Sequence, residues 1–132
     1  MRVVVDTSVW SLSLRRKGPA DHEAVRKLAT LLDQGEEVLI TGTILQEVLQ
    51  AFRHPATARK VARHFAPLSL VELARDDYAA AAALHRRCAS KGVSASTTDC
   101  QIAQAAISSD CPLLTTDRDF GQIARCSDLK LL

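Results

Sequence analysis

The chain has 132 residues, of which 47% are hydrophobic and 24% are charged, and its formal net charge is +2. A chain of this length buries roughly two thirds of its unfolded surface in one core, so we expect a single domain over residues 1–132. No apolar run approaches the ~20 residues that span a bilayer, which excludes a transmembrane protein, and the net charge alone does not indicate a nucleic-acid partner. Asp6 lies where a secretion signal would carry its apolar region, so we expect a cytoplasmic location.

The first predicted element is a strand that contains Val3, Val4 and Val5 and ends at Asp6. Consecutive β-branched residues without polar alternation indicate a strand buried on both faces, which is typical of the centre of a parallel sheet. Ligands of open α/β sheets bind beyond the carboxyl ends of the strands, so Asp6 is a candidate site residue. An Asp at this position is also a typical helix N-cap, and that alternative stays open.

Helices and strands alternate along the rest of the sequence. The predicted helices cover residues 9–14, the segment bracketed by Pro19 and Gly35, and residues 43–52, 55–66, 76–90, 96–108 and 117–124. The remaining predicted strands cover residues 38–40, 68–73, 113–115 and 129–132. This alternation predicts a three-layer α/β/α domain with a central parallel sheet.

The cysteines carry no CxxC pair, although there are four of them: Cys88, Cys100, Cys111 and Cys126. We expect reduced, buried thiols, because a zinc site would need paired ligands.

Acidic side chains recur where the predicted strands end. Asp6 and Asp117 each follow a strand, Asp99 opens a helix, and Glu47 lies in the first turns of the helix after the second strand. Because the carboxyl ends of parallel strands meet at one edge of a sheet, we expect these side chains to lie close together. Carboxylates that are drawn together repel one another unless a cation neutralises them, and oxygen ligands suit Mg²⁺ or Mn²⁺ better than zinc.

Helix capping offers another interpretation of three of these acids. The sequence Ser96 to Asp99 matches a capping box, and Asp117, like Asp6, can cap the turn that follows it. Glu47 is too deep in its helix to be a cap. A metal site and separate caps therefore both remain open from the pattern alone.

Four motifs together resemble the PIN-domain ribonucleases and, more narrowly, the VapC-type toxins of type II toxin–antitoxin pairs. They are Asp6-Thr7-Ser8-Val9-Trp10, Ile44-Leu45-Gln46-Glu47-Val48-Leu49, Thr98-Asp99-Cys100-Gln101-Ile102-Ala103 and Leu114-Thr115-Thr116-Asp117-Arg118-Asp119-Phe120. The resemblance implies a PIN-like fold and a catalytic quartet of Asp6, Glu47, Asp99 and Asp117.

The same resemblance implies further roles at this site. Asp6, Asp99 and Asp117 would hold Mg²⁺ or Mn²⁺, Ser8 and Thr116 would be supporting hydroxyls, and Asp119 would be a further acid of the site. The implied activity is hydrolysis of RNA phosphodiesters by a water that the metal activates, with a tRNA or an rRNA as substrate. The implied partners are a cognate antitoxin and a second copy of the chain in a homodimer.

RNA contact requires cations, and several basic residues fall near the motifs or on one helix face. The candidates for phosphate contact are Arg15, Arg16, Arg59, Arg63 and Arg118. Trp10 follows a buried strand, so we expect it in the core rather than stacked on a base. A phosphatase of the haloacid dehalogenase type would need a second Asp where Ser8 stands, and a PIN-like module that only binds RNA or protein remains the alternative function.

Overall fold

The computed structural model describes residues 1–132, which form four strands and seven helices. The strands are β1 (Arg2–Val5), β2 (Glu37–Thr41), β3 (Ser69–Val71) and β4 (Leu113–Leu114). The helices are α1 (Thr7–Ser13), α2 (Glu23–Asp33), α3 (Gly42–Gln50), α4 (Pro55–Phe65), α5 (Arg75–Ser90), α6 (Thr97–Ser108) and α7 (Asp119–Arg125). The predicted three-layer α/β/α architecture is confirmed.

The sheet is entirely parallel and has the strand order β3-β2-β1-β4. Strand β2 pairs with one side of β1, β3 pairs with the far side of β2, and β4 pairs with the other side of β1. The strand order therefore reverses between β1 and β4, where the Asp6 N–H donates to the Leu114 carbonyl at 2.9 Å. Open parallel sheets place their ligand crevice at such a reversal.

The first strand, β1, lies in the core, which explains its unbroken run of apolar residues. Val3, Val4 and Val5 have no exposed surface, because helices cover both faces of the sheet around them. Trp10 is 6% exposed, packs edge-on against Phe65 with ring centroids 4.6 Å apart, and donates its indole N–H to the Val5 carbonyl. The expectation that Trp10 belongs to the core is confirmed.

Several element boundaries differ from the sequence prediction. Helix α2 begins at Glu23 rather than near Pro19, because His22 is the N-cap and its Nδ1 accepts the Ala24 N–H at 3.0 Å. Gly35 ends the segment as expected, with a φ of +69° that only glycine adopts without strain.

The C-terminal region also differs. The predicted strand over residues 129–132 is reduced to a single bridge between Leu131 and Leu113. The last helix begins at Asp119, two residues later than predicted, because Asp117 forms a turn before it.

The four cysteines are free and buried, as predicted. None of the helices combines the length and the apolar character that crossing a membrane requires.

Candidate active site

The acidic residues gather at the edge of the sheet where β1 and β4 end. Asp6 directly follows β1, Asp117 follows β4 after two threonines, and Asp99 lies in the first turn of α6. Helices α1, α6 and α7 all begin at this edge, and the free N–H groups of helix N-termini favour negative charge.

Asp6 is nearly buried, with 5% of its surface exposed, and three hydrogen bonds hold its carboxylate. The Oδ2 atom accepts the Ser8 hydroxyl at 2.7 Å, the Thr115 hydroxyl at 2.8 Å and the Ser8 N–H at 3.4 Å. Asp6 is therefore the N-cap of α1, as the capping interpretation predicted. All three contacts go to Oδ2, so Oδ1 has no hydrogen-bond partner within the protein.

The two hydroxyls that hold Asp6 belong to a short network that joins the ends of β1 and β4. Ser8 Oγ lies 3.3 Å from Thr115 Oγ1 and accepts the Thr116 N–H at 3.0 Å. Thr115 Oγ1 in turn accepts the Asp117 N–H at 3.0 Å. The network fixes the Asp6 carboxylate relative to the turn that carries Asp117.

The hydroxyls predicted from the sequence to support the site are those of Ser8 and Thr116. The Ser8 hydroxyl is part of the network, but the second hydroxyl belongs to Thr115, and Thr116 contributes only its backbone N–H. Two adjacent threonines after a short strand carry the same pattern, so the sequence contained no signal that separates them.

The tightest acidic group consists of Asp99, Asp117 and Asp119. One carboxylate oxygen from each lies within 4.8 Å of the others. Asp117 and Asp119 share a turn in which Asp117 Oδ1 accepts the Asp119 N–H at 2.9 Å. Asp6 is not part of this group, so the closest three carboxylates differ from the predicted ligand set of Asp6, Asp99 and Asp117 by having Asp119 in place of Asp6.

The acidic group carries negative charge that no basic side chain offsets, because none of its members forms a salt bridge. The pKa of the Asp99 carboxyl is raised from 3.8 to about 6, first by burial and next by the negative charge of Asp117. A hydrogen bond with the Ser96 hydroxyl opposes this rise, whereas the charges of Asp6 and Asp119 add to it. A bound cation would remove the repulsion, and a set of oxygen donors with no sulfur fits Mg²⁺ or Mn²⁺.

The cap of α6 is Ser96, whose Oγ accepts the Asp99 N–H at 3.0 Å. This confirms the Ser96 half of the predicted capping box. The side chain that caps the helix terminus is therefore Ser96, and the N–H that it caps belongs to Asp99.

Glu47 lies on α3 and is half-buried. Its Oε1 accepts the Thr7 hydroxyl at 2.9 Å, and Thr7 directly follows Asp6. The structure thus brings Glu47 to the same edge of the sheet, although it is not one of the three clustered carboxylates.

The basic candidates are exposed and free of ion pairs. Arg118 separates Asp117 from Asp119 and is the one nearest the acidic group in sequence. Arg59 and Arg63 lie one turn apart on α4, while Arg15 and Arg16 follow α1. Their contact with RNA stays a prediction.

The sequence model of the PIN domain family matches residues 3–125. The chain belongs to the PIN domain family. The match covers every element from β1 to α7, so the acidic edge described above is an integral part of this PIN domain.

Solved structures with the same fold include two-component complexes and a toxin. VapBC2 from Rickettsia felis, bound to a DNA fragment from its promoter, superposes with a TM-score of 0.79 at 16% identity and covers 100% of this chain and 98% of its own. VapBC-1 from nontypeable Haemophilus influenzae gives 0.78 at 13% identity, covering 100% and 97%. VapC20 of Mycobacterium tuberculosis, described as a sarcin–ricin loop cleaving toxin, gives 0.67 at 15% identity, covering 90% and 92%. At these identities the similarity shows the fold of the PIN domain.

Proposed function

We propose that the protein is a metal-dependent endoribonuclease and the toxin of a VapC-type pair. The observation that carries the proposal is the group of three carboxylate oxygens within 4.8 Å of one another, with no basic side chain to neutralise them. The PIN domain assignment and the named activity of the similar VapC20 toxin support RNA as the substrate.

Asp99, Asp117 and Asp119 would hold the divalent ion, with Asp6 beside them through its unpaired Oδ1. When bound, Mg²⁺ or Mn²⁺ supplies positive charge to the reacting phosphate and favours deprotonation of a water. A hard cation also suits this site because three carboxylates and two hydroxyls are oxygen donors.

Glu47 would act as the general base. Thr7 donates to its Oε1, which fixes the carboxylate and leaves Oε2 without a partner to accept a proton from the attacking water. Ser8 and Thr115 act as positioning residues, because their hydroxyls hold Asp6 Oδ2.

Water as the nucleophile determines the ends of the products. The attack on phosphorus expels the ribose 3′-oxygen, so one fragment carries a 5′-phosphate and the other a 3′-hydroxyl. The ribose 2′-hydroxyl is not the nucleophile, so no 2′,3′-cyclic phosphate forms.

The proposal includes the partners that the resemblance implies. A cognate antitoxin would cover the acidic edge, where an inserted Arg can pair with clustered carboxylates. The chain would form a homodimer and act on a tRNA or an rRNA in the cytoplasm.

The decisive experiment incubates purified protein with total RNA in Mg²⁺, in Mn²⁺ and in excess EDTA, and maps the ends of the fragments. We expect cleavage only with metal, 5′-phosphate ends, and complete loss of activity in Asp117→Asn. Asp128→Asn is the matched control, because Asp128 is an exposed Asp that forms no salt bridge and lies beyond α7, outside the site. Undiminished cleavage in EDTA, or cyclic phosphate ends, would overturn the mechanism, and metal-dependent RNA binding without cleavage would identify a silent binding module.

The partner proposal has its own test. The protein is coexpressed with the product of the adjacent reading frame and purified by a tag on one chain. Copurification with relief of growth arrest supports the toxin role, while a monomer by light scattering that retains no neighbour argues against it.

A further inference from the structure

Thr7 connects the first turn of α1 to α3 through a single side-chain contact. It is the first residue of α1, and its hydroxyl donates to Glu47 Oε1 at 2.9 Å. The two residues are 40 positions apart in the chain, and both are half-buried. Helices α1 and α3 pack against each other, so this contact lies between two elements that the fold already brings together.

The Thr7 hydroxyl is the one hydrogen-bond partner that the Glu47 side chain has within the protein. Glu47 forms no salt bridge, and its Oε2 atom accepts no hydrogen bond. A glutamate side chain without a partner occupies several rotamers, because ordering it costs conformational entropy. The orientation of the Glu47 carboxylate therefore depends on Thr7.

The backbone that carries Thr7 is itself held in place. The Asp6 N–H donates to the Leu114 carbonyl at 2.9 Å, and the Asp6 carbonyl accepts the Val9 N–H at 3.1 Å. The first bond fixes this part of the chain to the end of β4, and the second fixes it to α1. The Thr7 hydroxyl consequently determines where the Glu47 carboxylate lies relative to Asp6.

The Thr7 hydroxyl has no second structural role. The N-cap of α1 is Asp6, whose carboxylate accepts the Ser8 N–H and the Ser8 hydroxyl. The network that holds Asp6 uses the hydroxyls of Ser8 and Thr115 and does not include that of Thr7. Removing the Thr7 hydroxyl therefore acts on Glu47 and leaves the support of Asp6 intact.

We propose that Thr7 is a positioning residue, which acts on the reaction only through Glu47 by holding its carboxylate in one orientation. The inference deepens the proposed function, on which it rests, by making the general base depend on one hydroxyl. In the reaction, water gives a proton to Glu47 Oε2 and its oxygen bonds to phosphorus. The bond from phosphorus to the ribose 3′-oxygen breaks, and that oxygen keeps the electron pair and takes a proton from solvent. Thr7 keeps its own proton throughout.

The test measures single-turnover cleavage by the full chain, at saturating Mg²⁺, of a synthetic RNA that spans the cleavage position mapped in total RNA. Thr7→Val keeps the shape of the side chain and removes the hydroxyl. We expect it to lower the maximal rate about ten- to a hundredfold, because misplacing a catalytic group costs up to ~10² in rate. The protein concentration that gives the half-maximal rate should not change. Thr7→Ser should retain most of the wild-type rate, since it keeps the hydroxyl.

A double substitution shows whether Thr7 acts through Glu47. Glu47→Gln alone should lower the maximal rate by about 10²–10⁴, the range for loss of a general base. Adding Thr7→Val to Glu47→Gln should lower the rate no further, because the effects of residues that act as a unit are not additive. The Mg²⁺-induced rise in melting temperature should be the same in Thr7→Val and in the wild type.

Thr30→Val is the matched control. It removes a hydroxyl that donates to the Arg26 carbonyl within α2, near the end of the helix that leads into β2 and away from the acidic edge. Its maximal rate should equal that of the wild type. Thr7→Ala is a second variant without the hydroxyl, has no branched side chain to fit into the first turn of α1, and should show the same loss of rate. Circular dichroism checks that each variant is folded.

The outcomes separate the positioning role from the proposed function. A wild-type rate in Thr7→Val and Thr7→Ala would overturn the positioning role, although metal-dependent cleavage would leave the proposed function standing. A further loss on adding Thr7→Val to Glu47→Gln, or a weakened response of Thr7→Val to Mg²⁺, would also overturn it, since Thr7 would then act elsewhere than on Glu47. A wild-type protein that never cleaves RNA with metal would instead overturn the proposed function.

Discussion

Replacing Asp99 by asparagine separates a metal-binding carboxylate from a structural cap. In the folded, metal-free protein the pKa of Asp99 is raised from 3.8 to about 6 by burial and by the charge of Asp117. The folded state therefore binds more protons than the unfolded state between these values, and the contribution of Asp99 to stability falls as the pH rises through them. Above about pH 6 the ionised carboxylate destabilises the fold.

Above pH 6 the raised pKa of Asp99 corresponds to a loss of at most about 3 kcal/mol in the free energy of unfolding, because each pKa unit is worth ~1.4 kcal/mol. The carboxyl is partly exposed, so solvent screening reduces this to about 1 kcal/mol. An asparagine side chain keeps the shape of the aspartate without its charge. In excess EDTA at pH 7.5, we therefore expect Asp99→Asn to melt roughly 3 °C above the wild type.

The assay is thermal unfolding by circular dichroism at pH 7.5 and at pH 3.5, with EDTA and then with Mg²⁺. At pH 3.5 the difference should largely disappear, because Asp99 is mostly protonated in both states of the wild type. Mg²⁺ should raise the melting temperature of the wild type and not that of the variant. A variant that melts below the metal-free wild type at pH 7.5 and still cleaves RNA would show that Asp99 is a structural residue.

Three other substitutions test the site, the core and the basic surface. Thr115→Val should lower the free energy of unfolding by about 1–3 kcal/mol, because the Asp6 carboxylate and the Asp117 N–H each lose a hydrogen-bond partner. It should also weaken the Mg²⁺-induced rise in melting temperature, and an unchanged response to Mg²⁺ would contradict this prediction. Leu84→Ala should lower the free energy of unfolding, measured by urea denaturation, by about 2–5 kcal/mol, since Leu84 is fully buried. Removing Arg59 and Arg63 together should weaken RNA binding and reduce its dependence on salt; an unchanged salt slope would exclude them as phosphate contacts.

Local sequence patterns are enough to predict the central strand and the first residue of α4. Val3, Val4 and Val5 predicted the buried central strand, because a run of β-branched residues without alternation fits few other environments. Pro55 marked the first residue of α4, since proline lacks the N–H that the first turn leaves unpaired. At the end of the chain, residues 129–132 form one bridge instead of a strand, because a short apolar run pairs only where a neighbouring edge is long enough, and β4 has two residues.

The sequence by itself determined that acidic residues follow the strands and that they meet at one edge, because parallel strands place all their carboxyl ends together. Only the tertiary structure decided which of them form the closest group. The turn after β4 brings Asp119 to Asp99 and Asp117, while Ser8 and Thr115 hold Asp6 in a separate hydrogen-bond network. These distances depend on how α6 and α7 pack against the end of β4, and contacts between elements far apart in the chain leave no periodic signal in the sequence.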